Sequence, residues 1–398
     1  MLCITVAFAT GDDDRAQDLF QRHRWFDLRN TSITDRYAAP LIKGTLASAF
    51  NRVAEAEREL KLAIRLAKGA EQVNAAREKL VVLYLRQGRT RDAVAQMRAA
   101  LKRDSTRADL QGLLDLFGPL ASEPPFVVHL PKSPAELPCE VKPDGVWLKA
   151  SVNGKSVTWL LDTGANFSVI SESEAKTHGI VIHNGGGLMG DLAGGDAKSK
   201  TGVASRVQIG GVELHNLPVL IFPDGHPPWT EWIAGRRGLF GLPVAIAMQT
   251  LAWTREGKCR TAMEPVAGTP NLAFDDLNPV LKGTLNSKPV EWLMDTGNQS
   301  GTQLWTRFKA DFPDSLAADG VVAGTETVTQ MGGANERPTT VLPELKFEVG
   351  GLAVLLKPAK FFGKPIGNDY QHGLLGMDVY SQAREIILDF RHMTFTAR

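Results

Sequence analysis

Ser156 to Ile170 reads SVTWLLDTGANFSVI, and Val290 to Trp305 reads VEWLMDTGNQSGTQLW. The same Trp-Leu-apolar-Asp-Thr-Gly string occurs twice, 133 residues apart (295 − 162). An acidic residue at the end of an apolar strand is costly unless something uses it. The surroundings repeat as well. At the 133-residue offset, Leu148, Lys149, Asn153, Lys155, Val157, Trp159 and Leu160 are matched by Leu281, Lys282, Asn286, Lys288, Val290, Trp292 and Leu293. Further on, Gly194-Gly195 is echoed by Gly332-Gly333, Gly210-Gly211 by Gly350-Gly351, and Gly238-Leu239-Phe240-Gly241 by Gly373-Leu374-Leu375-Gly376. The interval from aspartate to last glycine is 79 in one copy (241 − 162) and 81 in the other (376 − 295). Alternating runs flank Asn153-Gly154, a strong hairpin signal, and the hairpin delivers the chain to Asp162. The chain therefore carries two homologous β units of similar size, residues 138–266 and 267–398.

Each turn projects a carboxylate from a tight loop, where glycine permits close backbone approach. If the units pack about a pseudo-twofold axis, Asp162 and Asp295 meet on it. Two carboxylates at roughly 3 Å cannot both ionise, so they share a proton. One can then take a proton from a water while the other donates to a carbonyl oxygen, as direct hydrolysis of an amide requires.

With these residues in view, the chain resembles aspartic proteases of the pepsin and retropepsin kind, most nearly the bacterial retropepsin-like proteins with two fused lobes and a helical N-terminal region. The resemblance covers about two thirds of the chain. It implies a mainly β, bilobal acid-protease fold and an aspartic endopeptidase that uses no metal, cofactor or covalent intermediate. It makes Asp162 and Asp295 the catalytic dyad, and Thr163 and Thr296 a reciprocal grip between lobes. Gly164, Gly297, Ser168 and Thr302 would shape the two loops, with Gly241 and Gly376 on the strands that brace them. Flaps are expected at Gly185 to Thr201 and Thr327 to Thr340, with Gly194, Gly195, Gly332 and Gly333 against substrate backbone. Neither flap contains tyrosine, which is more retropepsin-like than pepsin-like. The residue after Asp-Thr-Gly is commonly Ala or Ser in the family; here it is Ala165 and Asn298, and the second loop is one residue longer before its hydroxyl. Ala165 offers no hydroxyl to a charged Asp162, so a milder pH optimum than pepsin's is expected.

The preceding region differs in texture. Residues 12–117 are rich in Ala, Leu, Arg and Glu, with apolar residues at helical spacing such as Leu80, Leu83 and Tyr84, then Ala93, Met97 and Ala100. A shift of 37 residues back lands on Ala47, Ala56, Leu60 and Ala63. Two helical hairpins with small residues at their contacts resemble tetratricopeptide repeats, although the usual Trp and closing Pro are absent; a plain helical bundle is the alternative. The helical domain is placed at residues 1–120, and a proline-rich linker with room for one short strand at 121–137. The helices are expected to hold a protein partner or the protease itself.

Totals limit the remaining classes. Lys+Arg is 45 and Asp+Glu 44, so a net charge of +1 gives no reason to invoke nucleic acid or an anionic membrane. No run reaches the roughly 18 apolar residues of a membrane span. Leu2 to Ala9 reads as the tail of a secretion signal, which favours a periplasmic or secreted protein, with a short buried segment as the alternative. Cys139 and Cys259 could pair but read more simply as free buried thiols. His178 and His183 lack helical metal-pair spacing and read as loop or surface histidines, and Trp229 and Trp232 read as packing residues. The rival class is a non-catalytic peptide-binding module of the same fold; a third is a precursor whose helices block the cleft.

Overall fold

The computed structural model describes residues 11–36, 38–190, 196–226, 229, 237–264, 268–330, 333–363 and 369–398. The apolar stretch Leu2 to Ala9, Trp232, Gly194, Gly195 and Gly332 lie outside the described residues.

Seven helices come first: α1 (Gly11–Gln21), α2 (Trp25–Leu28), α3 (Ala38–Ala49), α4 (Val53–Leu66), α5 (Ala70–Arg86), α6 (Thr90–Leu101) and α7 (Ala108–Phe117), followed by a 3-10 turn, Gly118–Ser122. The α3–α4 and α5–α6 hairpins are built alike. Their turns carry left-handed residues at Asn51 and Gly88, 37 apart (88 − 51), and Ala47, Ala56, Leu60, Tyr84, Ala93 and Met97 are all buried between them. Small residues at these contacts let the helix backbones approach closely.

The first β unit comprises β1 (Val127–His129), β2 (Ala135–Leu137), β3 (Cys139–Lys142), β4 (Gly145–Val152), β5 (Lys155–Leu161), β6 (Ser168–Ser171), α8 (Glu172–Thr177), β7 (Val181–Gly190), β8 (Asp196–Ile209), β9 (Val212–Phe222), β10 (Gly238–Phe240), α9 (Leu242–Ala247), β11 (Thr250–Thr254) and β12 (Cys259–Thr261). The second comprises β13 (Leu272–Asp275), β14 (Asn278–Leu285), β15 (Lys288–Met294), β16 (Gln303–Trp305), α10 (Thr306–Asp311), α11 (Pro313–Leu316), β17 (Val322–Gln330), β18 (Gly333–Leu342), β19 (Leu345–Val349), β20 (Leu352–Leu356), β21 (Ala359–Gly363), β22 (Gly373–Leu375), α12 (Met377–Tyr380), β23 (Glu385–Asp389) and β24 (Thr394–Ala397).

The duplication in sequence is a duplication in topology. The order β9-β6-β10-β5-β4-β8 in one sheet corresponds to β21-β16-β22-β15-β14-β19 in the other. The first sheet curls back on itself because β8 pairs with both β4 and β9. In the second unit the matching long strands are broken at Pro343 and Pro358, which cannot donate to a ladder. A third sheet, β2-β12-β11-β23-β24, takes strands from both units and joins them.

The proline-rich stretch is not a free linker. β1 adds to the edge of β9 in the first sheet and β2 adds to β12 in the shared one. Sequence alone anticipated only the first of these strands. Cys139 and Cys259 form a disulfide, correcting the reading of free thiols: Cys259 pairs in register with Leu137 on β2, which brings Cys139, two residues on, within bonding reach. His178 is buried rather than superficial. Its ring sits between the Val152 carbonyl (3.2 Å) and Glu174 Oε1 (3.2 Å), tying α8 to the β4–β5 hairpin. His183 lies on β7 and pairs with Glu123 at 3.0 Å. Trp229 is buried, as expected.

The helices share their core with the β units. One apolar cluster runs from Trp25, Phe26 and Phe50 into Phe274 and Phe390 of the second unit. Another joins Leu80, Leu116 and Phe117 to Phe167, Val169, Leu220 and Phe222 of the first. Each such side chain contributes about 1.5–3 kcal/mol on burial. Polar contacts fix the second seam. Asp275 pairs with His23, accepts from Trp25 Nε1 at 3.3 Å and takes Gln371 Nε2 at 2.8 Å. Lys79 Nζ lies 2.7 Å from Asp276. Arg86 is buried over the Phe274 ring, 4.2 Å from its centre, and donates to the Ser48 carbonyl at 2.6 Å.

Candidate active site

β10 runs parallel to β5 on one side and antiparallel to β6 on the other. The chain from β5 to β6 must therefore arch over the end of β10, and that arch is the Asp162 loop. β15, β22 and β16 make the same arch for Asp295. The bracing glycines are required by proximity. A Cβ on Gly241 would lie 2.4 Å from the Phe167 carbonyl, and one on Gly376 would lie 2.8 Å from Gly301. The Gly241 amide donates to Ser168 Oγ (3.1 Å) and the Gly376 amide to Thr302 Oγ1 (3.2 Å), so each loop hydroxyl is pinned by the strand end behind it. The extra residue of the second loop is absorbed by Gly301, which takes a left-handed conformation at φ +86°.

The two loops meet. Thr163 N–H donates to Thr296 Oγ1 (3.1 Å) and Thr296 N–H to Thr163 Oγ1 (3.1 Å). Each hydroxyl donates in turn to a carbonyl of the opposite unit, Thr163 to Met294 (3.2 Å) and Thr296 to Leu161 (2.8 Å). Both threonines are fully buried, so all four bonds are shielded from water. The grip sets the carboxyl groups of Asp162 and Asp295 beside each other, close enough for each to shift the other's proton affinity. A Cβ on Gly164 would come within 2.5 Å of the Asp295 carboxyl, and one on Gly297 within 2.4 Å of that of Asp162. Glycine after Thr is thus what lets each loop lie against the other unit's acid.

Asp162 Oδ1 accepts from the amides of Gly164 (2.9 Å) and Ala165 (3.0 Å), and Asp295 Oδ1 from that of Gly297 (2.8 Å). Both aspartates keep part of their surface open. Burial raises the affinity of Asp162 for its proton, with bonds from Asp295, Ala165 and Gly164 opposing. Asp295 is raised well above the usual carboxylate range, by burial and then by the neighbouring Asp162 charge. The two carboxyl groups therefore keep one proton between them above the ordinary carboxylate range. The Asn298 side chain turns into its own loop, donating to the Gly301 carbonyl at 2.8 Å and accepting from Ser300 N–H at 3.1 Å.

Two supporting residues have no counterpart in the sequence reading. The Asp295 amide donates to the Tyr380 hydroxyl at 3.2 Å, whereas the Asp162 amide donates to the Phe240 carbonyl at 2.9 Å. Asp378 receives both Thr302 N–H (2.9 Å) and Thr302 Oγ1 (2.8 Å). The first copy carries Ala245 and Pro243 at the matching places, so the duplication itself gave no signal for either. The flap segments are the hairpins β7–β8 and β17–β18. Gly333 opens β18 opposite Gln330; the other three glycines assigned to substrate fall outside the described residues. Among the described residues no cluster of metal-ligating side chains occurs, and no helix is long and apolar enough to cross a membrane.

Comparison with known proteins agrees at the level of class. Residues 148–244 match the family model of the aspartyl proteases. Among solved structures, an aspartic proteinase from Irpex lacteus is similar at 12% identity and a TM-score of 0.41, over 66% of this chain and 96% of that one. A retropepsin-like aspartic protease from Rickettsia conorii is similar at 13% identity and a TM-score of 0.23, over 35% and 94%. No curated protein matches. The family match, spanning the first acidic loop and its bracing strand, supports an aspartic protease.

Proposed function

We propose that the protein is an aspartic endopeptidase whose dyad is Asp162 and Asp295. The observation that carries this reading is the approach of two partly buried acids from different β units, held by the reciprocal Thr163–Thr296 bonds. A water between the carboxyl groups gives a proton to the Asp162 anion as its oxygen attacks the substrate carbonyl carbon. The Asp295 proton passes to the carbonyl oxygen, giving a neutral gem-diol. The carbon–nitrogen bond then breaks, with the nitrogen taking the proton held by Asp162 and a diol proton returning to Asp295.

Cleavage of a peptide library by the full chain, by Asp162→Asn and by Asp295→Asn tests the reading. We expect the variants to lose about 100-fold or more in kcat/KM. Peptide binding without cleavage by the unmodified chain would instead make it a binding module of this fold. The 37-residue spacing of the helical hairpins supports a tetratricopeptide-type scaffold, whose packing on both β units suits holding the peptidase itself before any partner. The Cys139–Cys259 disulfide supports an exported protein, since such bonds persist in oxidising compartments.

A further inference from the structure

The duplicated fold supplies its own control for the two ends of the cleft. On the peptidase reading, the acidic loop of each unit is the floor of the cleft and the flap hairpin its roof, with a substrate strand leaving between them at either end. At the first unit that gap is filled by α7. The Phe117 ring packs on Phe167 of the Asp162 loop, with centroids 4.7 Å apart. On the roof side, Gly187 of β7 meets the same helix so closely that a Cβ there would lie 3.0 Å from the Gly112 carbonyl and 3.2 Å from Leu116 Cβ. Thr201 of β8, fully buried, donates to the Leu116 carbonyl at 3.2 Å. One helix thus touches floor and roof together.

Among the described residues no helix bridges loop and hairpin in this way in the second unit. Gly301, which precedes the loop hydroxyl Thr302 as Phe167 precedes Ser168, has no side chain to pack against a helix, and Gln299 and Ser300 beside it are exposed. On the matching roof strand β17, Ala323, Thr325 and Thr327 are exposed.

We infer that the cleft is blind at the first-unit end and open at the second, so that the protein takes polypeptide chains by one terminus and cuts a short distance from it. This rests on the peptidase reading above and narrows it from any exposed peptide to chain ends. α7 is the specificity element, and Phe117 sets how many residues fit on the closed side.

The test is a ladder of peptides carrying a non-cleavable hydroxyethylene at the scissile position, lengthened one residue at a time toward either terminus. Affinity is read by calorimetry on the full chain. In one direction affinity should hold or rise with every added residue. In the other it should fall by about tenfold or more once the wall is reached. Phe117→Ala, with its thermal melt checked, should move that limit outward by a residue and leave the open side unchanged. Equal tolerance of long extensions toward both termini overturns the inference while leaving the peptidase reading intact. Failure of every ladder member to bind overturns both. The ladder on the unmodified chain decides the matter even if the variant does not fold.

Discussion

The Asp162–Asp295 pair keeps its shared proton because burial disfavours charge on either carboxyl and because ionising both would set two like charges side by side. Both acids are shifted upward, so the acidic limb of the rate profile should lie above the ordinary carboxylate range, where Asp162 must first ionise. Activity should fall again as pH rises and Asp295 loses its proton. A maximum near about pH 2 would contradict this. The same shift has a consequence for stability. A carboxyl raised in the folded state contributes fully below the ordinary carboxylate range, and that contribution is lost as pH rises through the folded value. Asp295→Asn carries no charge at any pH. It should therefore melt higher than the unmodified protein at neutral pH, with the difference vanishing near about pH 3, and a lower neutral-pH melting temperature would count against the account. At this scale the sequence was informative. The aspartates, threonines and glycines of the two loops sit where the repeated string put them. Tyr380 and Asp378 were invisible because they act in one copy only, across contacts no spacing rule describes.

At the scale of elements the two hairpins that lead into Asp162 and Asp295 share one turn with different chemistry. In the first, Asn153 and Gly154 take left-handed conformations, φ +48° and +85°. In the second, Asn286 and Ser287 do so at +49° and +63°. Serine carries a Cβ into a region that costs an L-residue roughly 1–2 kcal/mol. Ser287→Gly should raise stability by about 0.5–1 kcal/mol, less than the full strain because glycine also frees the unfolded chain. Denaturant titration would read it, and a loss of stability would argue against the turn geometry. Strand pairs that announce themselves through alternation and Asn-Gly were legible; β2, three residues among prolines, was not. Its pairing with β12 is fixed by a partner strand 122 residues away in sequence (259 − 137, Leu137 to Cys259), and local pattern carries no trace of that. His178 misled for a related reason: it follows α8 in a turn, yet the hairpin β4–β5 folds over it.

At the scale of the molecule the helices and β units form one body. A chain beginning at Pro138 would lose β1 and β2 from two sheets and uncover Phe167, Leu220 and Phe222. Such a truncation should bind hydrophobic dye, melt without cooperativity and aggregate; a monomeric, cooperatively folding product would show the helices to be a separable appendage. It is therefore unsuited to asking whether the helices block the cleft. The disulfide strengthens the same junction, since Cys139 belongs to the first sheet and Cys259 to the sheet shared by both units. Replacing both cysteines by alanine should cost roughly 2–4 kcal/mol, read as a lowered denaturation midpoint, with no change in dyad chemistry.

The shared sheet also orders events in time. Its strands β23 and β24, residues 385–397, follow the sheet's other three strands in the chain, and β23 joins them by pairing with β11. The sheet that joins the two units can thus close only after residues 385–397 have been synthesised, later than both acidic loops.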